Sequence, residues 1–173
     1  KNGIDFILSG AIIWAGIGLI WMMDYTDYNK SIFTFMAGVL LLPLASIISR
    51  IIKTRWKVEN NPLEPLGLWL NFAQLFYFPI LVLVLMKWPA FFLMTYMIIT
   101  GAHLFPYAWF YKTIFYAVMA GIISVTALIT RMYISNEQNH LLAFIMSFCM
   151  LVLAILLYTD YRKKSMEYKH HAM

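Results

Sequence analysis

Charge is what this sequence has little of: 12% of its 173 residues are Asp, Glu, Lys or Arg, against 62% that are hydrophobic. A soluble domain is nearer a quarter charged and half apolar. So few charges cannot cover a globular surface in water, and the expected solvent is a lipid bilayer. Cysteine is rarer still. Cys149 stands alone, which excludes an intramolecular disulfide, and it sits in the apolar stretch "FIMSFCMLVLAILL", where a thiol only packs. The histidines are scattered, with no H-E-x-x-H pair and no spaced cysteines for zinc; His170 and His171, near the chain end, are weak metal candidates. Also missing are the G-x-x-x-x-G-K-[ST] and G-x-G-x-x-G phosphate loops and the G-x-S-x-G elbow. No cofactor and no metal are therefore expected. The acidic residues Asp5, Asp24, Asp27, Glu59, Glu64, Glu137, Asp160 and Glu167 all read as terminal or interfacial. This counts against an ion-coupled pump, which uses a carboxylate inside the membrane as its relay.

What the chain does have is apolar runs long enough to span a bilayer, about 20 residues of helix each. Six are read, at 4–23, 31–52, 66–86, 89–105, 107–130 and 140–158, the fourth and fifth being split only by Pro106. An open sheet leaves its edges unsatisfied in lipid, and the runs lack the period-two alternation of a barrel strand, so helices are expected. The first run is too long for a signal-peptide core and no A-x-A site follows it, so it is expected to remain as a span. No internal repeat is visible.

The net charge of +5 falls at the ends of the apolar runs, where it faces lipid headgroups, and this excludes nucleic acid as a partner and points to membrane lipids. Six spans put both termini on one side, together with Lys1, Arg50, Lys53, Arg55, Lys57, Lys112, Arg162, Lys163, Lys164 and Lys169. Lys30, Lys87 and Arg131 fall on the other. The asymmetry places both termini in the cytoplasm. Small residues mark two faces for close helix packing: Ala11, Ala15 and Gly18 on the first helix, Ala117, Gly121 and Ser124 on the fifth.

Polar residues within the runs carry the functional reading. Pro62 and Pro65 stiffen the entry to the third run, with Asn60 or Asn61 as a cap, and Asn71 and Gln74 follow, about 60° apart on the helix. In the fourth run Tyr96, Thr100 and His103 share a 60° sector, and His103 lies roughly 21 Å from Pro89. Both clusters reach the cytoplasmic third of the bilayer. Such amides and hydroxyls often only tie helices together. An ionisable group such as His103 inside a span instead suggests function by default, although a membrane histidine can also be a neutral structural group. Gly101 and Pro106 call for a helix end or kink near 105, followed by an interfacial belt of Tyr107, Trp109, Phe110 and Tyr111, with Lys112 reaching headgroups. Pro43 and Pro79 free the carbonyls of Val39 and Leu75 and predict kinks in the second and third runs.

The stretches "PLGLWLNFAQLFYFP" (65–79) and "GAHLFPYAWFYKT" (101–113) resemble those of a family of small bacterial multi-span membrane proteins of unknown function. The resemblance covers most of the chain and implies a bacterial cytoplasmic membrane. It implies no activity, cofactor or site residue.

The expected architecture is an all-α, six-helix integral membrane bundle over 1–158, with a charged cytoplasmic tail over 159–173 and no soluble domain. The leading functional expectation is binding or permeation of a small molecule through a polar pocket open to the cytoplasm and lined by Asn71, Gln74, Tyr96, Thr100, His103 and Tyr107. One alternative is an intramembrane enzyme acting on a lipid or hydrophobic substrate, with His103 as acid or base and Glu64 as its orienting carboxylate. Another is a structural or accessory subunit. Oligomerisation is left open.

Overall fold

The computed structural model describes residues 3–54 and 64–171, with all of their side chains except those of 64, 68 and 167–171. The cap expected at Asn60 or Asn61, the stiffening at Pro62, the charges of Lys1, Arg55 and Lys57, and the side chains of Glu64, Lys169, His170 and His171 lie outside the described residues.

Among the described residues the chain is helical and has no strand. The elements are α1 (Ile4–Met22), α2 (Asp27–Val39), α3 (Leu41–Ile52), α4 (Glu64–Leu75), α5 (Phe78–Lys87), α6 (Phe92–Leu104), α7 (Tyr107–Phe110), α8 (Phe115–Tyr133) and α9 (His140–His171), with 3-10 turns at Pro89–Phe91 and Asn136–Gln138. Five helical segments are long and apolar enough to cross a membrane, and a sixth when the pair α2 and α3 counts as one span bent by 41°. That bend falls at Leu40, one turn before Pro43, whose missing N–H leaves the Val39 carbonyl unclaimed. The break between α4 and α5 has the same cause, with Pro79 in the first turn of α5, where its lack of a donor costs nothing. The polar stretch "DYTDYNK" divides at Thr26: its last four residues start α2, capped by the Thr26 hydroxyl, which accepts from the Asn29 N–H at 3.3 Å.

The core lies among α1, α6, α8 and α9 and includes Ile7, Trp14, Ile17, Met97, Ile123, Met146 and Leu153. Helices α1 and α9 run antiparallel: Gly18 faces Phe144, the Ser147 hydroxyl donates to the Ala11 carbonyl at 2.8 Å, and Gly10 faces Met150. Expected small residues Ala11 and Gly18 are buried in this seam. Interhelical bonds of this kind average about 0.6 kcal/mol in membranes. Ser147→Ala is therefore expected to lower stability in detergent by about that amount, while the surface change Thr159→Ala leaves it unaltered.

The second expected face is borne out at Ser124, whose Oγ would stand 3.4 Å from a methyl on Gly101, and is overturned at Gly121. Gly121 is exposed and nothing lies within 4 Å of where its Cβ would stand. The packed face of α8 is instead Tyr116, Met119, Ala120, Ile123 and Ala127, and Gly101 of α6 presses against it: a methyl on Gly101 would stand 2.5 Å from Ile123 Cγ2.

The reversal between the fourth and fifth runs is also displaced. Pro106 stands at the N-cap of α7, a position that needs no N–H, and the chain continues through it for one more turn. The chain reverses at 111–114, where Lys112 takes a left-handed backbone (φ 51°) and the Thr113 N–H returns to the Ala108 carbonyl. Finally, α9 continues from the sixth run through the charged segment to His171, helped by the Asp160–Lys164 pair one turn apart at 2.7 Å. At 1.5 Å per residue its 32 residues measure about 48 Å, more than the roughly 30 Å of a hydrocarbon core.

Side-chain bonds identify the two ends of the bundle. Thr54 meets Asp5, Tyr107 meets Asn71, and Lys164 Nζ donates to the Lys112 carbonyl, so one end gathers the start of α1, the end of α3, the start of α4, the 111–114 turn and residue 164 of α9. The other end gathers the end of α1, the start of α2, the two 3-10 turns and the start of α9, with Asn139 Nδ2 donating to the Ala90 carbonyl.

Candidate functional site

The end that holds the start of α1 carries a polar layer built around Tyr107. The backbone stays right-handed helical through Phe105 and Pro106, so Tyr107 lies one turn after His103, the two rings meeting edge to face with centroids 5.3 Å apart. The Tyr107 hydroxyl donates to Asn71 Oδ1 at 3.1 Å and lies 3.4 Å from His103 Nε2. A phenol has one proton to give. With that proton on Asn71, His103 must carry its own on Nε2 to complete the chain. The Asn71 amide is oriented by its other end, where Nδ2 donates to the Gly67 carbonyl at 3.0 Å. Gly67 admits this close approach of α4 to α7, since a methyl there would stand 3.1 Å from the Phe110 ring.

Of the six residues expected to line a pocket, three are thus brought together: Asn71, His103 and Tyr107. Asn71 is exposed, while His103 and Tyr107 are half-buried. Gln74 is half-buried on the same helix and, among the described residues, takes no part in this chain of bonds. Thr100 donates to the Tyr96 carbonyl at 2.8 Å, within its own helix. Tyr96 sits higher in the bundle, stacked on Trp14 with centroids 5.3 Å apart and close against Gly38.

Tyr107 also connects to a second group that the sequence reading passed over. Its ring lies 6.0 Å from Tyr111 and 5.9 Å from Tyr116, which stack on each other at 5.5 Å. Both hydroxyls converge on Gly3, where a Cβ would stand 2.9 Å from each, and the left-handed backbone there (φ 72°) suits glycine as well. Two residues on, the Asp5 carboxylate is 2% exposed. Thr54 Oγ1 lies 2.9 Å from Asp5 Oδ2 and 2.6 Å from Ser49 Oγ. Each hydroxyl has one proton: Thr54 gives its own to Asp5 Oδ2, and that of Ser49 is shared between Thr54 Oγ1 and the Thr54 carbonyl at 3.2 Å. Burial, with Tyr107 and Asp5 adding, holds the Tyr111 phenol above its usual range. The signal for Asp5 was present in the sequence as a carboxylate one residue inside an apolar run. Its partner Thr54 lies 49 residues away, which no local pattern reveals.

Among the described residues no three His, Cys, Asp or Glu side chains converge as a metal site. Comparison with known proteins gives one family, whose pattern matches residues 1–160. The chain belongs to DUF7010, a family of unknown function. No curated protein and no solved structure matches. The DUF7010 match takes in α1 through α8 and α9 as far as Asp160, so the Tyr107 layer and the Asp5 cluster both lie within the family region.

Proposed function

We propose that this DUF7010 protein spans a bacterial cytoplasmic membrane six times with both termini inside, and that it binds a small uncharged polar molecule at the cytoplasmic end of the bundle. The observation that carries the reading is the Tyr107 hydroxyl, within reach of both Asn71 and His103 at the end of the spans. An amide, a phenol and a neutral imidazole offer donors and acceptors without a fixed charge, and hydrogen-bonding groups of this kind select a ligand that matches each of them. The exposed Asn71 provides the approach, while Gln74 and Thr100 flank it on their helices.

The test uses purified protein in lipid nanodiscs, its melting midpoint measured against a panel of polyols, sugars, nucleosides and small amides. At least one class is expected to raise the midpoint by roughly 5–10 °C, as ligand at about 100 times its dissociation constant stabilises by about 2.7 kcal/mol. Tyr107→Phe and His103→Gln are expected to remain folded, the glutamine amide replacing both polar roles of the ring, yet to lose that shift. A shift of unchanged size in Tyr107→Phe would sink the reading. So would a wild-type protein indifferent to the whole panel, leaving these bonds as ties between helices.

A further inference from the structure

The opposite end of the bundle contains a hollow of about 300 Å³, at the low end of the range for ligand sites. It is walled by Trp21 and Met22 from the last turn of α1, Met23 and Asp24 after it, Lys30 of α2, Glu137 of the second 3-10 turn and His140 at the start of α9. Charges of both signs therefore face one space. Among the described residues neither Lys30 nor Asp24 nor Glu137 forms an ion pair, so the hollow separates groups that would otherwise attract one another. A ligand carrying both charges would bridge them.

We propose that this hollow recognises a phosphoethanolamine group, supplied by a phospholipid of the adjoining leaflet. Lys30 is pre-positioned for the phosphate. Its Nζ stands 5.9 Å over the Trp21 ring, and that ring is fixed by its own N–H donating to Thr34 Oγ1 at 2.8 Å. The ammonium falls to the acceptors. Asp24 and Glu137 supply carboxylates, and His140 lies beside them: its Nδ1 is 3.1 Å from the Glu137 carbonyl, which can only accept, so Nδ1 carries a proton and Nε2 is the ring nitrogen left to act as an acceptor. A primary ammonium has N–H bonds for these groups. A choline headgroup has none, and the aromatic face that would suit a quaternary ammonium is already covered by Lys30. The lipid source follows from this end of the bundle, where Met22 and Met23 of the hollow and the tyrosines Tyr25, Tyr28 and Tyr133 at the helix ends are exposed, as side chains at a membrane–water boundary are.

The experiment places the protein in phosphatidylcholine nanodiscs containing phosphatidylethanolamine, phosphatidylglycerol or neither, and measures retained lipid by native mass spectrometry together with the melting midpoint. A parallel arm adds soluble O-phosphoethanolamine to the protein in pure phosphatidylcholine. Phosphatidylethanolamine is expected to be retained preferentially and to raise the midpoint. The double variant Asp24→Asn/Glu137→Gln is expected to reduce that preference by about threefold or more, the scale of ion pairs at a wet surface, with its midpoint in pure phosphatidylcholine unchanged. Lys30→Gln is expected to weaken retention of all three phospholipids. A response to the soluble compound alone supports the same recognition with a water-borne source. Equal retention of all three lipids with no soluble response overturns the proposal, and so does an ethanolamine preference that survives the double variant.

Discussion

Gly101→Leu is expected to lower the stability of the bundle by roughly 3 kcal/mol or more, the upper part of the range for overpacking a tight interface. For a chain of this size that is about 6–12 °C in melting midpoint. The reason is local. A methyl on Gly101 already meets Ile123 Cγ2 at 2.5 Å and Ile123 Cβ at 3.0 Å, and a β-branched side chain on a helix has one strongly preferred rotamer, so it cannot swing aside. A leucine must push α6 and α8 apart. Gly121→Leu, on the outward face of α8, is expected to stay within about 0.5 kcal/mol of the parent. Thermal unfolding of both variants in the same detergent makes the comparison; equal losses would mean that Gly121 also meets a neighbour, and a silent Gly101→Leu would mean the contact is not tight.

Trp21→Ala is expected to cost on the order of 3–5 kcal/mol, because it empties a large site and removes a bond between helices at once. Trp21 is buried at the end of α1, and its indole N–H to Thr34 is the described polar tie from α1 to α2. Trp21→Phe keeps most of the volume and loses that bond, so a loss of about 1–2 kcal/mol is expected. Denaturant unfolding of the two variants separates volume from hydrogen bonding. If phenylalanine proves as costly as alanine, the bond and not the volume dominates.

Much of the architecture was legible because each feature had a local cause. Apolar runs gave helices since lipid admits few other structures, and Pro43 and Pro79 marked breaks since a missing N–H is a property of one residue. The reversal was misplaced at Pro106 because proline fits a helix start as well as a helix end. The true turn uses a left-handed lysine, Lys112, where glycine would have announced it. On α8 the expected small-residue face holds at Ser124, which borders Gly101, and fails at Gly121, because spacing alone does not say which side meets a neighbour; the side chains of Tyr116, Ile123 and Ala127 decide that. The candidate site divides in the same way. Asn71 and His103 stand out as polar groups at one depth, and His103 and Tyr107 are one helical turn apart, but the bond from Tyr107 to Asn71 joins residues 36 apart in the chain, which no local pattern reveals. Asp5 stands in the first turn of α1, as expected of a terminal residue, but it is buried, and its bond to Thr54 exists only in the folded chain.

The central claim is that the Tyr107 layer opens to the cytoplasm, and thiol labelling at Asn71 tests it most directly. Asn71→Cys, in a background with Cys149→Ala, would be exposed to a membrane-impermeant maleimide in right-side-out and in inverted vesicles. Asn29→Cys, Asn136→Cys and Ser165→Cys would serve as references, the first two expected to label from outside and the third from inside. The account predicts that Asn71→Cys labels in inverted vesicles only, together with Ser165→Cys. Labelling of Asn71→Cys in right-side-out vesicles, together with Asn29→Cys and Asn136→Cys, would contradict it.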